Sequence, residues 1–250
     1  MTLGFAQFWE KLSCFFRFIN YIHHLIMPKQ RKSIERISYS ELQRRFKDKP
    51  VEPESLNLRL YRAASWLKSA QQYEKDPDIA YISLWIAFNA CYAIDDNEEI
   101  PLSEKERFRS FIAKLVEHDE QNRIFNIIWE KFSQSIRVML ENPYVFKPFW
   151  DYQRSKTTSW KAKLAHSIRE ANVHLSNRNV PGVLEILLDR LYVLRNQIVH
   201  GGSTYGSSVN RGSVKDGGRI LQFLVPVIVD IMSENPSADW GETHFPVVRD

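Results

Sequence analysis

Residues 82–94 (ISLWIAFNACYAI) carry no charge and offer apolar side chains on every side of a helix. A helix without a polar face has to be enclosed by other elements. The run is also shorter than the roughly 18 to 20 apolar residues that cross a bilayer, so the enclosure has to come from the chain's own helices. With 250 residues, 44% of them hydrophobic and 26% charged, the composition is that of an ordinary globular domain with enough apolar side chains for such a core. From about residue 55 to 234 apolar positions recur at helical spacing. β-Branched clusters are rare there, and no Asn-Gly or Asp-Gly turn separates alternating apolar runs. The expectation is an all-α, up-and-down helical bundle with residues 82–94 at its centre.

Start and stop signals place the helices. The first covers about residues 57–72. The second opens with Asp76 as N-cap and Pro77 at the first helical position, where a missing N–H costs nothing. Ser103 and Glu106 form a capping-box pattern ahead of a third helix to about residue 117, and a fourth spans about 121–140. Residues 142–160, with Pro143 and Pro148, read as irregular or a short helix, followed by a helix over 161–172. The next runs from Pro181 to His200, where Gly201 and Gly202 signal a C-cap. The last covers about 218–233, with a bend expected at Pro226, and residues 235–250 form an irregular tail.

Ahead of this domain, Phe5, Phe8, Leu12, Phe15, Ile19 and Ile22 alternate steps of three and four. Residues 1–27 therefore read as an amphipathic helix that docks on the body, on a partner or on a membrane surface. Glu10, Lys11 and Arg17 interrupt it and no small-residue cleavage site follows, which argues against a signal peptide; Met27 marks an alternative start. Residues 28–54 are polar, basic and bounded by prolines, a linker or arm with one short helix over 40–46. Residues 1–50 hold ten Lys and Arg against four Asp and Glu, so the net charge of +4 originates there. Positive charge returns in residues 151–200, eight against four, a pattern that suits a polyanionic ligand as well as a solvated face. The two cysteines, Cys14 and Cys91, cannot build a disulfide framework and point to a reducing, cytoplasmic compartment. No stable membrane insertion is expected.

The segment that carries chemistry is PGVLEILLDRLYVLRNQIVHGG. Leu184, Leu187, Leu191, Leu194 and Ile198 step by three and four and make one seam toward the core. Asn196 and His200, four apart, lie about 150° to 170° from the centre of that seam, with Arg195 on its flank. This face is therefore not the one buried in its own bundle, and it meets either water or a second surface. Residues 169–174 (REANVH) repeat the Arg-to-His spacing, but Glu170 and Leu175 stand where RNQIVHG has Asn196 and Gly201.

RNQIVHG resembles the R-N-x-x-x-H signature of HEPN domains (higher eukaryote and prokaryote nucleotide-binding), a superfamily of short helical bundles. SLWIAFNACYA is similar to the buried early helix of its Apea-like members. The resemblance covers residues 55–234 loosely and is specific in these two stretches. It implies a HEPN-type bundle with an N-terminal helical and basic extension. It also implies metal-independent endoribonuclease activity in a homodimer whose two Arg/Asn/His sets face each other. Arg195, Asn196 and His200 would be the catalytic residues, with RNA as substrate and no metal or cofactor. A toxin or antiviral-defence role, with a cognate antitoxin, is a further implication. The chemistry suits the residue types: an imidazole moves protons near neutral pH and a guanidinium presents a fork to phosphate oxygens. Two other readings stay open, a non-catalytic dimerisation or nucleotide- or RNA-binding module and a plain helical scaffold.

The loop 201–212 (GGSTYGSSVNRG) is rich in glycine and serine but lacks the Gly-Lys-Ser/Thr ending of a phosphate loop. It reads as a mobile connector, or as a lid in which Arg211 and Lys215 reach phosphate. No His-Glu-x-x-His, paired Cys-x-x-Cys or carboxylate cluster appears, so no metal site is expected. Trp85, Phe88 and Tyr92 read as core in preference to a base-stacking platform. Asn89 is the polar exception in that helix, either a residue supporting the site from behind or a tie between helices.

Overall fold

The computed structural model describes residues 35–48, 51–93, 104–156, 159–243 and 245, and those from Arg36 on belong to one compact unit, Arg36–Asp250. The amphipathic helix expected over residues 1–27, Cys14 and the Ser103 cap lie outside the described residues. Among the described residues the fold is all-helical. In chain order the α-helices are α1 (Tyr39–Asp48), α2 (Glu54–Gln72), α3 (Pro77–Tyr92), α4 (Glu104–Glu117), α5 (Arg123–Asn126), α6 (Ser133–Glu141), α7 (Lys147–Ser155), α8 (Trp160–Ser176), α9 (Val180–Val199) and α10 (Arg211–Glu234). No helix is long and apolar enough to cross a membrane, among the described residues.

The apolar run is the centre of the packing. Asp76 caps α3 by accepting from the backbone N–H groups of Asp78 and Ile79, and the helix then passes between α2, α10 and α9. Tyr81, Leu84, Trp85, Phe88 and Cys91 are buried along it. Burial in this apolar setting pushes the Cys91 thiol up to about 12, so it is an inert core residue. At the far end of α3 the guanidinium of Arg59, 1% exposed, donates to the carbonyls of Cys91, Trp240 and Gly241. One buried arginine thus satisfies the end of the central helix and fastens the tail.

Three segments depart from the sequence expectation. Residues 36–48, read as part of a linker or arm with one short helix over 40–46, hold that helix as α1 but are docked: Leu42 is fully buried, and Arg45 pairs with Asp230 of α10. Asp230 also accepts from Arg123 at 2.6 Å, so α1, α5 and α10 meet at one buried carboxylate. The continuous helix expected over 121–140 is broken by a π-helical turn at Ile127–Lys131, where the Phe132 N–H reaches back to the Ile127 carbonyl. The last helix starts at Arg211 instead of near Gly218. Its glycines look like loop residues, but a Cβ at Gly217 would stand 2.8 Å from Leu191 Cδ2 and 3.0 Å from Tyr81. Glycine there lets α10 approach α9 and α3 closely. The tail beyond Pro236 is non-helical as expected, yet Trp240 is buried against Phe111.

Candidate functional site

Helix α9 is built from local signals at both ends. The Asn179 side chain caps it by accepting from the Gly182 N–H, with Pro181 in the first turn. Val183, Leu184, Leu187, Leu188, Leu191 and Leu194 are buried, so four of the five expected seam positions hold and Val183 and Leu188 join them, while Ile198 near the helix end is only half-buried. At the other end the His200 N–H donates to the Asn196 carbonyl at 3.1 Å, and Gly201 turns away in the left-handed region at φ 68°. The opposite face, carrying Asp189, Tyr192, Asn196, Val199 and His200, is exposed or half-buried.

On that face the structure brings Arg195 and Asn196 into direct contact: Arg195 Nη1 donates to Asn196 Oδ1 at 2.9 Å. Arg195 leans toward α3, where the Tyr81 hydroxyl donates to the Leu191 carbonyl at 2.7 Å. Burial pushes the Tyr81 hydroxyl well up, and the Arg195 charge pulls against that shift. No carboxylate of the described residues pairs with Arg195, and its Nε is buried without a hydrogen-bond partner. His200 is exposed at the helix end. A guanidinium steadied by an amide beside an open imidazole can hold an anionic oxygen and move a proton next to it.

Around these residues lies a framework that sequence reasoning missed. Asn142 Nδ2 donates to Asn210 Oδ1 at 3.0 Å and to Ser213 Oγ at 2.8 Å. Asn210 in turn donates to Gln197 Oε1 at 3.3 Å, and Gln197 Nε2 to the Tyr144 carbonyl at 2.5 Å. The last turn of α9 is thereby tied to the turn before α7 and to the start of α10. The Asn-Pro pair at 142–143 and the amide of Gln197 inside RNQIVHG were the available signals.

The glycine-serine loop is anchored at several points to the N-terminus of α3. Tyr205 donates to the Asp76 carboxylate, and the Gly206 N–H donates to Asp78 Oδ2 at 2.9 Å. Arg211 grips Asp78 with both terminal nitrogens, at 3.0 and 3.1 Å, while its Nε donates to the Ser207 carbonyl at 2.7 Å. The Tyr205 hydrogen bond holds the Asp76 carboxyl below its ordinary range and lifts the tyrosine in return. Arg211, expected to reach phosphate from a lid, is paired with Asp78 here and fixes the loop.

The remaining expected residues lie elsewhere. Lys215 is two residues from Gly217, about 200° around α10, and lines a surface cavity with Glu74, Arg219 and Gln222. Asn89 sits two helical turns from Tyr81, about 12 Å along α3. It faces a cavity beside Arg59, Arg62 and Trp66, so it does not support Arg195 or His200 from behind. Its Oδ1 is buried without a partner. In the second Arg-to-His hexad, His174 Nδ1 meets Asn179 Nδ2 at 3.0 Å and stacks over Gly182. Trp85 and Phe88 are core side chains at 4% and 1% exposure, as expected, with a small cavity at their outer edge. Among the described residues no group of three His, Cys, Asp or Glu side chains is placed to hold a metal ion. No family model, curated protein or solved structure matches this chain.

Proposed function

We propose that the protein is a metal-independent endoribonuclease of HEPN type, working as a homodimer with Arg195, Asn196 and His200 from each protomer. The observation that carries this reading is the exposure of His200 one helical turn after an Arg195–Asn196 pair that no carboxylate of the described residues neutralises. In strand cleavage the 2′-hydroxyl loses its proton, its oxygen bonds to phosphorus, and the bond to the 5′-oxygen breaks as that oxygen gains a proton. One imidazole takes the first proton and the other delivers the second, which is why two copies of His200 are needed. Arg195 stabilises the added charge on the phosphorane oxygens, and Asn196 holds the guanidinium in place. The products are a 2′,3′-cyclic phosphate and a 5′-hydroxyl.

The test incubates total RNA or tRNA with wild type and His200→Ala, with and without EDTA, and scores 2′,3′-cyclic phosphate ends. Cleavage by wild type with or without chelator, lost in the variant, is expected; cleavage retained in the variant removes His200 from the reaction. A second reading, a non-catalytic dimerisation or RNA-binding module, is favoured by the half-buried position of Arg195 and the commitment of its Nη1 to Asn196. It predicts that RNA binding survives His200→Ala and that no new ends form with either protein.

A further inference from the structure

Between Tyr144 and Lys163 six of twenty residues are aromatic, against 13% of the whole chain, and five are cationic against a single carboxylate, Asp151. Rings at that density usually go into a core, yet two of these stay open: Tyr144 is 50% and Trp150 36% exposed. They are nevertheless held in place. Phe149, half-buried, stands at the centre, with Tyr144, Trp150 and Trp160 edge to face around it at 5.4, 5.1 and 5.1 Å. The Trp150 indole N–H donates to the Tyr144 carbonyl at 2.8 Å, so its polar atom is satisfied within the patch and ring surface is what it offers outward.

The patch borders the site. Gln197 Nε2 donates to the same Tyr144 carbonyl at 2.5 Å, and the Arg190 guanidinium lies 4.4 Å over the Phe146 ring. Arg190 and Gln197 are seven apart, on one flank of α9, so the turn before α7 is fastened along that flank. His200 lies about 60° around the helix from Gln197 and about 4.5 Å further along.

The chemistry of the patch selects its occupant. Open rings give a base a stacking surface whatever its identity, and a single strand has unstacked bases to offer where a duplex does not. Positive charge beside the rings answers the phosphates between the bases. Lys147 and Arg154 share Asp151, which leaves that trio at +1. Lys156 and Lys161 meet no carboxylate among the described residues: Lys156 bonds Gln153 and lies 5.0 Å over Tyr152, and Lys161 lies 5.9 Å over Trp160. A second copy of the chain, docked through the same face, would set like charges against each other.

We propose that the exposed rings of Tyr144 and Trp150, with Lys156 and Lys161, form a landing surface for single-stranded RNA. Bases stack there, and the strand leads on to His200. The binding stands without the nuclease reading; the delivery of a phosphodiester to His200 rests on it.

Binding is read on the full chain by fluorescence anisotropy of a short labelled oligouridylate, in the His200→Ala background so that the probe survives. The added variants are Tyr144→Ala, Tyr144→Phe and the double Lys156→Gln/Lys161→Gln, with circular dichroism to verify folding; the Tyr144 carbonyl remains in all of them. Tyr144→Ala should weaken binding about tenfold through lost stacking while Tyr144→Phe keeps it. The double variant should flatten the slope of log affinity against log salt by about 1.4, or about 0.7 for each phosphate contact. If Tyr144→Ala does not fold, that slope decides. In a second arm, wild type and Tyr144→Ala are compared in cleavage, and a KM raised about tenfold at unchanged kcat is expected. Binding that follows the variants, with no cleavage by wild type, would keep the landing surface and remove the nuclease. Cleavage with KM and oligouridylate affinity unchanged in Tyr144→Ala would do the reverse. Equal affinity for an oligouridylate–oligoadenylate duplex, preference for phosphatidylserine vesicles, or an unchanged salt slope would overturn the assignment.

Discussion

Two hexads with the same Arg-to-His spacing stand in the C-terminal parts of neighbouring helices, residues 169–174 in α8 and 195–200 in α9. In the first, the imidazole lies over Gly182, hydrogen-bonded to Asn179, and serves the packing of α8 on α9. In the second, the imidazole is open to solvent and the arginine is steadied by an asparagine. Spacing is shared; surroundings are not. A histidine whose ring already fills a gap between helices is unavailable for proton transfer, whereas one at a helix end on an unburied face is available. The comparison shows that a short motif acquires meaning from which side of its helix the fold leaves open.

The comparison can be broken most directly by exchanging the roles of the two histidines. His200→Ala should lower RNA cleavage by at least about 100-fold, the usual contribution of an acid/base group, with the melting temperature unchanged. His174→Ala should leave the cleavage rate alone and lower the melting temperature; equal activity losses in both variants would remove the distinction. The next effect is on stability. In Gly182→Ala a new Cβ would stand 2.4 Å from the His174 ring, so the ring must swing aside and give up its contact with Asn179, at about 1 kcal/mol. Gly201→Ala, at φ 68° with open space around it, should cost about 1 kcal/mol, and denaturant midpoints compare the two.

Smaller and local is the effect of Asp78→Asn. It replaces a charged two-point grip on Arg211 with a neutral one and should raise hydrogen exchange in residues 201–210 while the core amides of α3 keep their protection. Unchanged exchange there would mean that the loop is held by other contacts. The smallest effect concerns pH. Because Asp76 is held below its ordinary range by Tyr205, the anchoring contribution is present at neutral pH and persists through the usual carboxylate titration. It is lost only as pH falls through that lowered value. Tyr205→Phe should remove this acid-resistant step, read as protease sensitivity of the loop against pH.

Much of the helical framework was legible because its signals are local. Asp76 and Pro77 start α3 where expected, and Asn179 and Pro181 begin α9 within a residue of the expected start. The leucine seam of α9 is buried as its period requires, and Gly201 ends it. The π-helical turn at Ile127–Lys131 was not legible, since the same apolar spacing serves a continuous helix. Nor was the early start of α10, because Gly217 reads as a loop residue until its neighbours Leu191 and Tyr81 are in place. At the site, the residue types and their face could be read from RNQIVHG. The fate of Arg211 and Asn89 could not.

By itself, then, the order of residues determined where helices begin and end and which side of each is apolar. Capping and periodicity act over three or four positions, and those positions are adjacent in the chain. Tertiary structure alone decided which polar groups remain available. Asp78 and Arg211 lie 133 positions apart, and Arg59 reaches a carbonyl 181 positions away. Such pairs leave no local trace, because a charged side chain has the same sequence context whether its partner across the fold is present or absent. The same holds for the tie between Gln197 and the Tyr144 carbonyl, 53 positions apart, which sets the aromatic patch beside the site.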